Sequence, residues 1–228
     1  YEIPLRLVGS EMCIETGVVA RSVFSHLVGS DSYIFDDFTK KQLDTFTRVA
    51  AELEAGLEYK VIKHILNSAG IERFTDYQMD MVRLGIGLYG VSASGQKGLR
   101  NISTLKTTIL QIQNVPAGDS IGYSRMSYVK RDSRIAIIPI GYADGLDRHF
   151  SNGGGEVVIN GHRCPIIGNI CMDACMIDVT DTDAHEGDSV IIFGEELPVS
   201  ELSDKLKTIP YEILTSISPR VKRVYYRE

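Results

Sequence analysis

Hydrophobic and polar positions follow two different rhythms along the 228-residue chain, and the change falls near residue 95. Before it, short apolar runs alternate with longer helical patterns. Arg21–Leu27 (RSVFSHL) carries β-branched and aromatic residues and reads as a strand, followed by a polar loop over Gly29–Asp37. Leu43, Phe46, Val49, Ala50 and Leu53 then recur at helical spacing. Thr39 and Gln42 are placed as a capping box ahead of them, and Gly56 suits a stop. Lys60–Leu66 (KVIKHIL) and Val82–Tyr89 (VRLGIGLY) read as two further buried strands. Strand, helix, strand in this order predicts parallel βα units.

After Gly95 the pattern is all-β. Leu105–Val115, Arg134–Ile140, Glu156–Ile159, His162–Ile167, Ile170–Val179 and Ser189–Phe193 read as strands, and Arg220–Tyr226 as a closing one. Asn160-Gly161 is a two-residue hairpin signal, because both turn positions need positive φ. Ser200–Leu206 and Tyr211–Ile217 are short helix candidates. The domains expected are therefore residues 1–95, α/β, and 96–228, β-rich. A parallel βα unit takes about 30 residues and a closed eight-stranded barrel about 250. The first 95 residues hold about three such units. Three parallel strands leave unpaired edges, so the expectation is the tail of a longer chain rather than a small open sheet.

Composition narrows the function. The hydrophobic fraction is 43% and the charged fraction 24%, ordinary for a folded soluble protein. No apolar stretch is long enough for a membrane span, and Tyr1–Ser10 lacks a signal-peptide layout, so a cytoplasmic location is expected. A net charge of -6 repels a phosphate backbone, which excludes nucleic acid as the main partner. Cys13, Cys164, Cys171 and Cys175 read as reduced thiols, and their spacing fits no common zinc pattern.

Several residues carry candidate chemistry. His26 ends an apolar strand, where a satisfied structural histidine is the plain reading. Asn67-Ser68-Ala69-Gly70 follows a strand end, where small residues present backbone N–H groups to a phosphate or simply turn the chain. Arg83 sits between Val82 and Leu84, and a buried guanidinium needs acceptors, from an ion pair or from a ligand. Gly153-Gly154-Gly155 lacks the Lys-Ser/Thr ending of a phosphate loop and reads as a turn.

Eight stretches taken together resemble one family. They are SVFSHLVGSD (from Ser22), HILNSAG (His64), DMVRLGIGLYG (Asp80), IGYSRMSY (Ile121), IPIGYADG (Ile138), IIGNICMDACMIDVT (Ile166), TIPYEILTSIS (Thr208) and PRVKRVY (Pro219). In this order they are similar to the carboxy-terminal part of the alanine racemases that depend on pyridoxal phosphate. The resemblance implies the last roughly three units of a (βα)8 barrel followed by an all-β domain. It also implies a head-to-tail homodimer in which the β domain of one subunit caps the barrel of the other. The implied reaction interconverts L- and D-alanine for peptidoglycan synthesis. A racemase for another small amino acid such as serine, or a non-catalytic dimerisation module, are the competing readings.

By the same resemblance, Ser68, Gly85, Ile86 and Tyr211 match positions on the cofactor phosphate, and Arg83 the arginine facing its pyridine nitrogen. A permanent cation there opposes protonation of that nitrogen and weakens the ring as an electron sink. Tyr123 matches a catalytic base. A phenol has a pKa of about 10, and using it as a base near pH 7 costs about 4 kcal/mol. A chain from Tyr123 through His26 to Arg83 supplies a positive environment. Tyr142 and Met172 match positions at the substrate carboxylate and Asp173 one at the entry channel. Two departures stand out. Ser124 replaces a glycine usual in the family, and Tyr128 lies one residue further on than its counterpart. No lysine has the lysine-alanine-asparagine context of the family's cofactor anchor, so the chain alone is expected to be inactive.

Overall fold

The structure, a computed structural model, describes residues 17, 19–95 and 98–226. Tyr1–Ser10 and Cys13 lie outside the described residues. The chain forms two compact units, the first running to Leu88 and taking in Ser92–Leu99, the second made of Tyr89–Val91 and the chain from Arg100.

In the first unit, β1 (Ser22–Phe24) pairs in parallel with β2 (Ile62–His64), Ser22 opposite Ile62 and Phe24 opposite His64. Helix α1 (Asp36–Leu57) connects them. Its buried stripe of Leu43, Phe46 and Ala50 packs with Leu27, Ile65, Leu66 and Phe74. The capping box is not formed. The helix begins at Asp36, so Thr39 already lies inside its first turn, and the Thr39 hydroxyl and Gln42 Oε1 are buried without a described partner. Asp36 and Asp37 place negative charge at the N-terminus instead. Nor does Gly56 end the helix, which stops with Glu58 at φ 59°.

The expected strand over Val82–Tyr89 is also absent. Asp80 and Arg83 donate N–H bonds to Lys63 O and Leu66 O, so the segment starts alongside β2. The amides of Gly85 and Gly87 then turn to the Ser68 hydroxyl, and Ile86–Tyr89 winds into a 3₁₀ turn. Ser68 opens the short helix α2 (Ser68–Arg73), capped by the Asn67 side chain on Gly70 N.

The second unit is an antiparallel seven-stranded sheet. Its strands are β3 (Leu105–Thr108), β4 (Gln111–Val115), β7 (Ser133–Ile138), β8 (Glu156–Ile159), β9 (His162–Ile167), β10 (Cys175–Asp178) and β11 (Ser189–Phe193). They run in the order β3-β11-β8-β9-β10-β7-β4. The two end strands are consecutive in the chain, separated only by Ile109 and Leu110. The sheet therefore curls until its edges approach. This is why the expected single strand over Leu105–Val115 divides: Ile109 N bonds Asp188 O and Leu110 N bonds Ile137 O. The curl encloses Ile138, Val157, Ile159, Ile166, Ile177 and Ile192.

The Asn160-Gly161 hairpin forms as expected, with φ 49° and 78°. A second ribbon, β5 (Ser120–Ile121) with β6 (Ser127–Tyr128), carries Tyr123 in its turn. Helices α3 (Val199–Leu206) and α4 (Pro210–Ser216) follow. Of two further strand expectations, one shortens and one is lost. Ile170–Ala174 turns back on itself through Cys171 N to Ala174 O, which leaves only Cys175–Asp178 extended in the sheet. Arg220–Tyr226 is not a strand, and Arg223 binds its guanidinium to the carbonyls of Ile217, Ser218 and Val221.

Candidate functional site

Parallel pairing of β1 and β2 brings the residues that follow them to the same end, where α/β folds commonly bind ligands. Arg83 reaches across that end. It donates to Ser25 O at 2.7 Å, His64 O at 3.2 Å and Ile65 O at 3.2 Å. It also faces His64 Nδ1 at 2.6 Å and His26 Nδ1 at 3.3 Å. Its guanidinium lies 5.3 Å from the Phe24 ring, which stacks on His64. A guanidinium has only donors, so both Nδ1 atoms must present lone pairs, which puts the proton of each neutral imidazole on Nε2. Among the described residues no carboxylate forms an ion pair with Arg83. Its acceptors are neutral, so its positive charge is left uncompensated.

His64 is buried, and burial together with the nearby Arg83 charge holds its pKa below 6.5. His26 is exposed, which removes the plain reading of a buried structural histidine. The Ser68 hydroxyl, 4% exposed, accepts from Gly85 N at 2.9 Å and more weakly from Gly87 N at 3.5 Å. Its own proton remains to be donated. Ile86, between the two glycines, is buried. Ser68, Gly85, Ile86, Arg83 and His26 are thus brought together within the first unit.

The second unit gathers the other candidates. Tyr123, Tyr142, Met172 and Asp173 line one open cavity of about 1390 Å³. Two loops form much of its wall. Tyr142 N and Ala143 N donate to Cys171 O and Met172 O, so the GYADG and ICMD stretches are zipped backbone to backbone. Gly141 is needed there, since a Cβ would sit 2.3 Å from Cys171 O. Tyr123 is 70% exposed, and its turn holds Ser124 and Arg125 at φ 62° and 51°. Tyr211 lies on α4, outside that lining, with 42% exposure. Of the expected Tyr123–His26–Arg83 chain, the His26–Arg83 contact is within the first unit, while Tyr123 belongs to the second. Burial pushes the Cys164 and Cys175 thiols up to about 11 and about 12, so both stay protonated.

Sequence reasoning gave no side-chain role to His64, Asn67 or Arg220. The need of Arg83 for acceptors was the available signal for His64. Asn67 was readable as a cap one residue before Ser68. Arg220 gave no signal, because its partners are distant in sequence.

Residues 102–225 match the family model described as alanine racemase, C-terminal domain, and residues 11–93 that described as alanine racemase, N-terminal domain. The chain belongs to the alanine racemase family. Alanine racemase 1 of Caldanaerobacter subterraneus subsp. tengcongensis is 40% identical over 225 residues, covering 95% of this chain and 58% of the relative. The alanine racemase of Bartonella henselae, solved with covalently bound pyridoxal phosphate, superposes with a TM-score of 0.85 at 36% identity, over 96% of this chain and 60% of that one. The Bacillus anthracis alanine racemase with bound L-Ala-P gives a TM-score of 0.86 at 31% identity, over 95% and 58%. The chain therefore spans about three fifths of the length of the racemases it matches.

Proposed function

We propose that this chain supplies part of the active site of an enzyme that interconverts L- and D-alanine, with pyridoxal phosphate as cofactor. The observation that carries this is the cluster at the ends of β1 and β2. The Ser68 hydroxyl, which accepts from the Gly85 and Gly87 amides and keeps its own proton for a phosphate oxygen, lies in the same unit as a guanidinium whose described acceptors are all neutral. The Ser68 proton and the Arg83 charge fit the cofactor's phosphate and ring nitrogen; by the family resemblance Ser68, Gly85, Ile86 and Tyr211 would hold the phosphate and Arg83 would face the nitrogen. Bound there, the cofactor supplies an electron sink that acidifies the Cα–H of an attached amino acid.

The chain's own groups divide the remaining work. Arg83 keeps its charge, because it cannot be deprotonated, and so opposes a proton on the ring nitrogen. His64 and His26 hold its orientation through Nδ1 lone pairs. Tyr123 takes or returns a proton on one face of Cα. Tyr142 and Met172 receive the substrate carboxylate, and Asp173 stands at the entry. The Tyr123 cavity of one subunit meets the cofactor cluster of another in a head-to-tail dimer, with the first unit forming part of a βα barrel. The product suits a role in peptidoglycan synthesis, which we place in the cytoplasm.

Racemisation needs a second base on the opposite face. No lysine of this sequence has the context of the family's anchor. The chain alone should therefore not turn over. The test is chiral chromatography after incubation with L-alanine and pyridoxal phosphate. D-alanine is expected from the intact enzyme that contains this sequence and none from the chain by itself. No D-alanine from the intact enzyme would overturn the proposal.

A further inference from the structure

Arg220 joins two carboxylates that stand on different loops of the second unit. Its Nε donates to Asp144 Oδ1 at 2.7 Å and its Nη2 to Asp173 Oδ1 at 2.7 Å. Asp144 is the buried end, with side-chain exposure of 14%, and Asp173 the open end at 63%. Asp144 is itself fixed from three sides. Its Oδ2 accepts from Gly141 N at 2.9 Å, its carbonyl accepts from Ser218 N at 3.0 Å, and Gly145 beside it packs against the Ser216–Ile217 backbone. Arg220 thus extends from a rigid point to a carboxylate that otherwise sits on an exposed turn.

That turn, Cys171–Ala174, carries Met172 and Asp173, while Asp144 closes the 3₁₀ turn that begins with Tyr142. Among the described residues, the backbone bonds that join the two turns are those from Tyr142 and Ala143. A side-chain bridge beyond them fixes the position of the Asp173 carboxylate as well as that of the backbone. The paired carboxylates in turn hold the Arg220 guanidinium further above its ordinary range.

We infer that Arg220 is a positioning residue: by bridging Asp144 and Asp173 it holds the Cys171–Ala174 turn against Tyr142 and thereby sets substrate affinity. The inference rests on the substrate role proposed above for Tyr142, Met172 and Asp173. Arg220 itself does not line the cavity, so its effect must pass through that turn. A lysine presents a compact ammonium without the rigid planar fork of a guanidinium, so it matches the two carboxylates less well.

The experiment compares Arg220→Met, Arg220→Lys and Asp173→Asn in two readouts. The first is amide hydrogen exchange of this chain, which needs no activity. Arg220→Met is expected to speed exchange about fivefold at the Cys171, Tyr142 and Ala143 amides, which the turn's backbone bonds protect, the size of a lost half-exposed ion-pair network, and to leave the sheet amides unchanged. The second is steady-state kinetics of the intact enzyme. KM for alanine should rise about fivefold, with kcat and cofactor affinity within twofold, Arg220→Lys should fall between, and Arg220→Met should add little to Asp173→Asn. Unchanged exchange at the Cys171, Tyr142 and Ala143 amides would overturn the clamp, as would a loss confined to kcat or to cofactor binding. Should Arg220→Met not fold, Asp173→Asn, which keeps the Asp144 half, must give the same faster exchange or the clamp fails. An inactive unsubstituted enzyme would overturn the racemase reading instead, and the exchange result would still decide the clamp.

Discussion

Ser124→Gly should make the protein more stable. Ser124 has φ 62° and Arg125 φ 51°, so two successive residues with side chains occupy the left-handed region in the turn that carries Tyr123. Holding an L-residue there costs about 1–2 kcal/mol, from the clash of Cβ with the neighbouring carbonyl. Glycine removes that cost but loses more chain entropy on folding, about 0.5–1 kcal/mol. The first effect wins, for a net gain of about 0.5–1 kcal/mol. Nothing is lost in exchange, since no hydrogen bond joins the Ser124 hydroxyl to any described residue. For a chain of this length the gain corresponds to a rise in Tm of about 1–4 °C. The assay is thermal unfolding by circular dichroism, with Ser124→Ala as the control. Alanine keeps the Cβ and should give no rise. An equal rise for alanine and glycine would show that the hydroxyl, not the Cβ, is at fault. A fall for glycine would refute the strain argument altogether.

Three further outcomes follow from the same geometry. Asn67→Ala removes the acceptor for Gly70 N and Ser30 Oγ and the donor to Leu27 O, and should cost about 1–2 kcal/mol, read as a lower urea midpoint. His64 should titrate below 6.5 by NMR; because the unfolded chain then binds more protons, stability should fall as pH drops below that value. Arg83→Met should move that titration part of the way back up, since burial, the larger cause, remains. In the intact enzyme, Tyr123→Phe should cut racemisation by at least about 100-fold while leaving cofactor affinity unchanged, and retained activity would remove Tyr123 as a base.

Local pattern made some elements plain before the structure was known, and its failures have physical causes. Glu156–Ile159, the Asn160-Gly161 turn and His162–Ile167 are fixed by neighbours in sequence and formed as expected. The division of Leu105–Val115 is set by the curl of the whole sheet, to which the apolar run is blind. Val82–Tyr89 has strand composition, yet its glycine amides bind a serine 17 and 19 residues away, a tertiary choice no periodicity records. The candidate site residues could be named because the stretches that carry the family resemblance are local. Their bridges could not be: His64 to Arg83 and Arg220 to Asp144 and Asp173 join segments 19, 76 and 47 residues apart.

The central claim is that this chain grips the cofactor and holds one proton-handling group but lacks the covalent anchor. The direct measurement is borohydride reduction of the chain in stoichiometric pyridoxal phosphate, followed by peptide mass spectrometry. The account predicts no lysine labelled near stoichiometry, only trace labelling spread over exposed lysines. Near-complete labelling of one lysine, at Lys60, Lys63 or elsewhere, would contradict it.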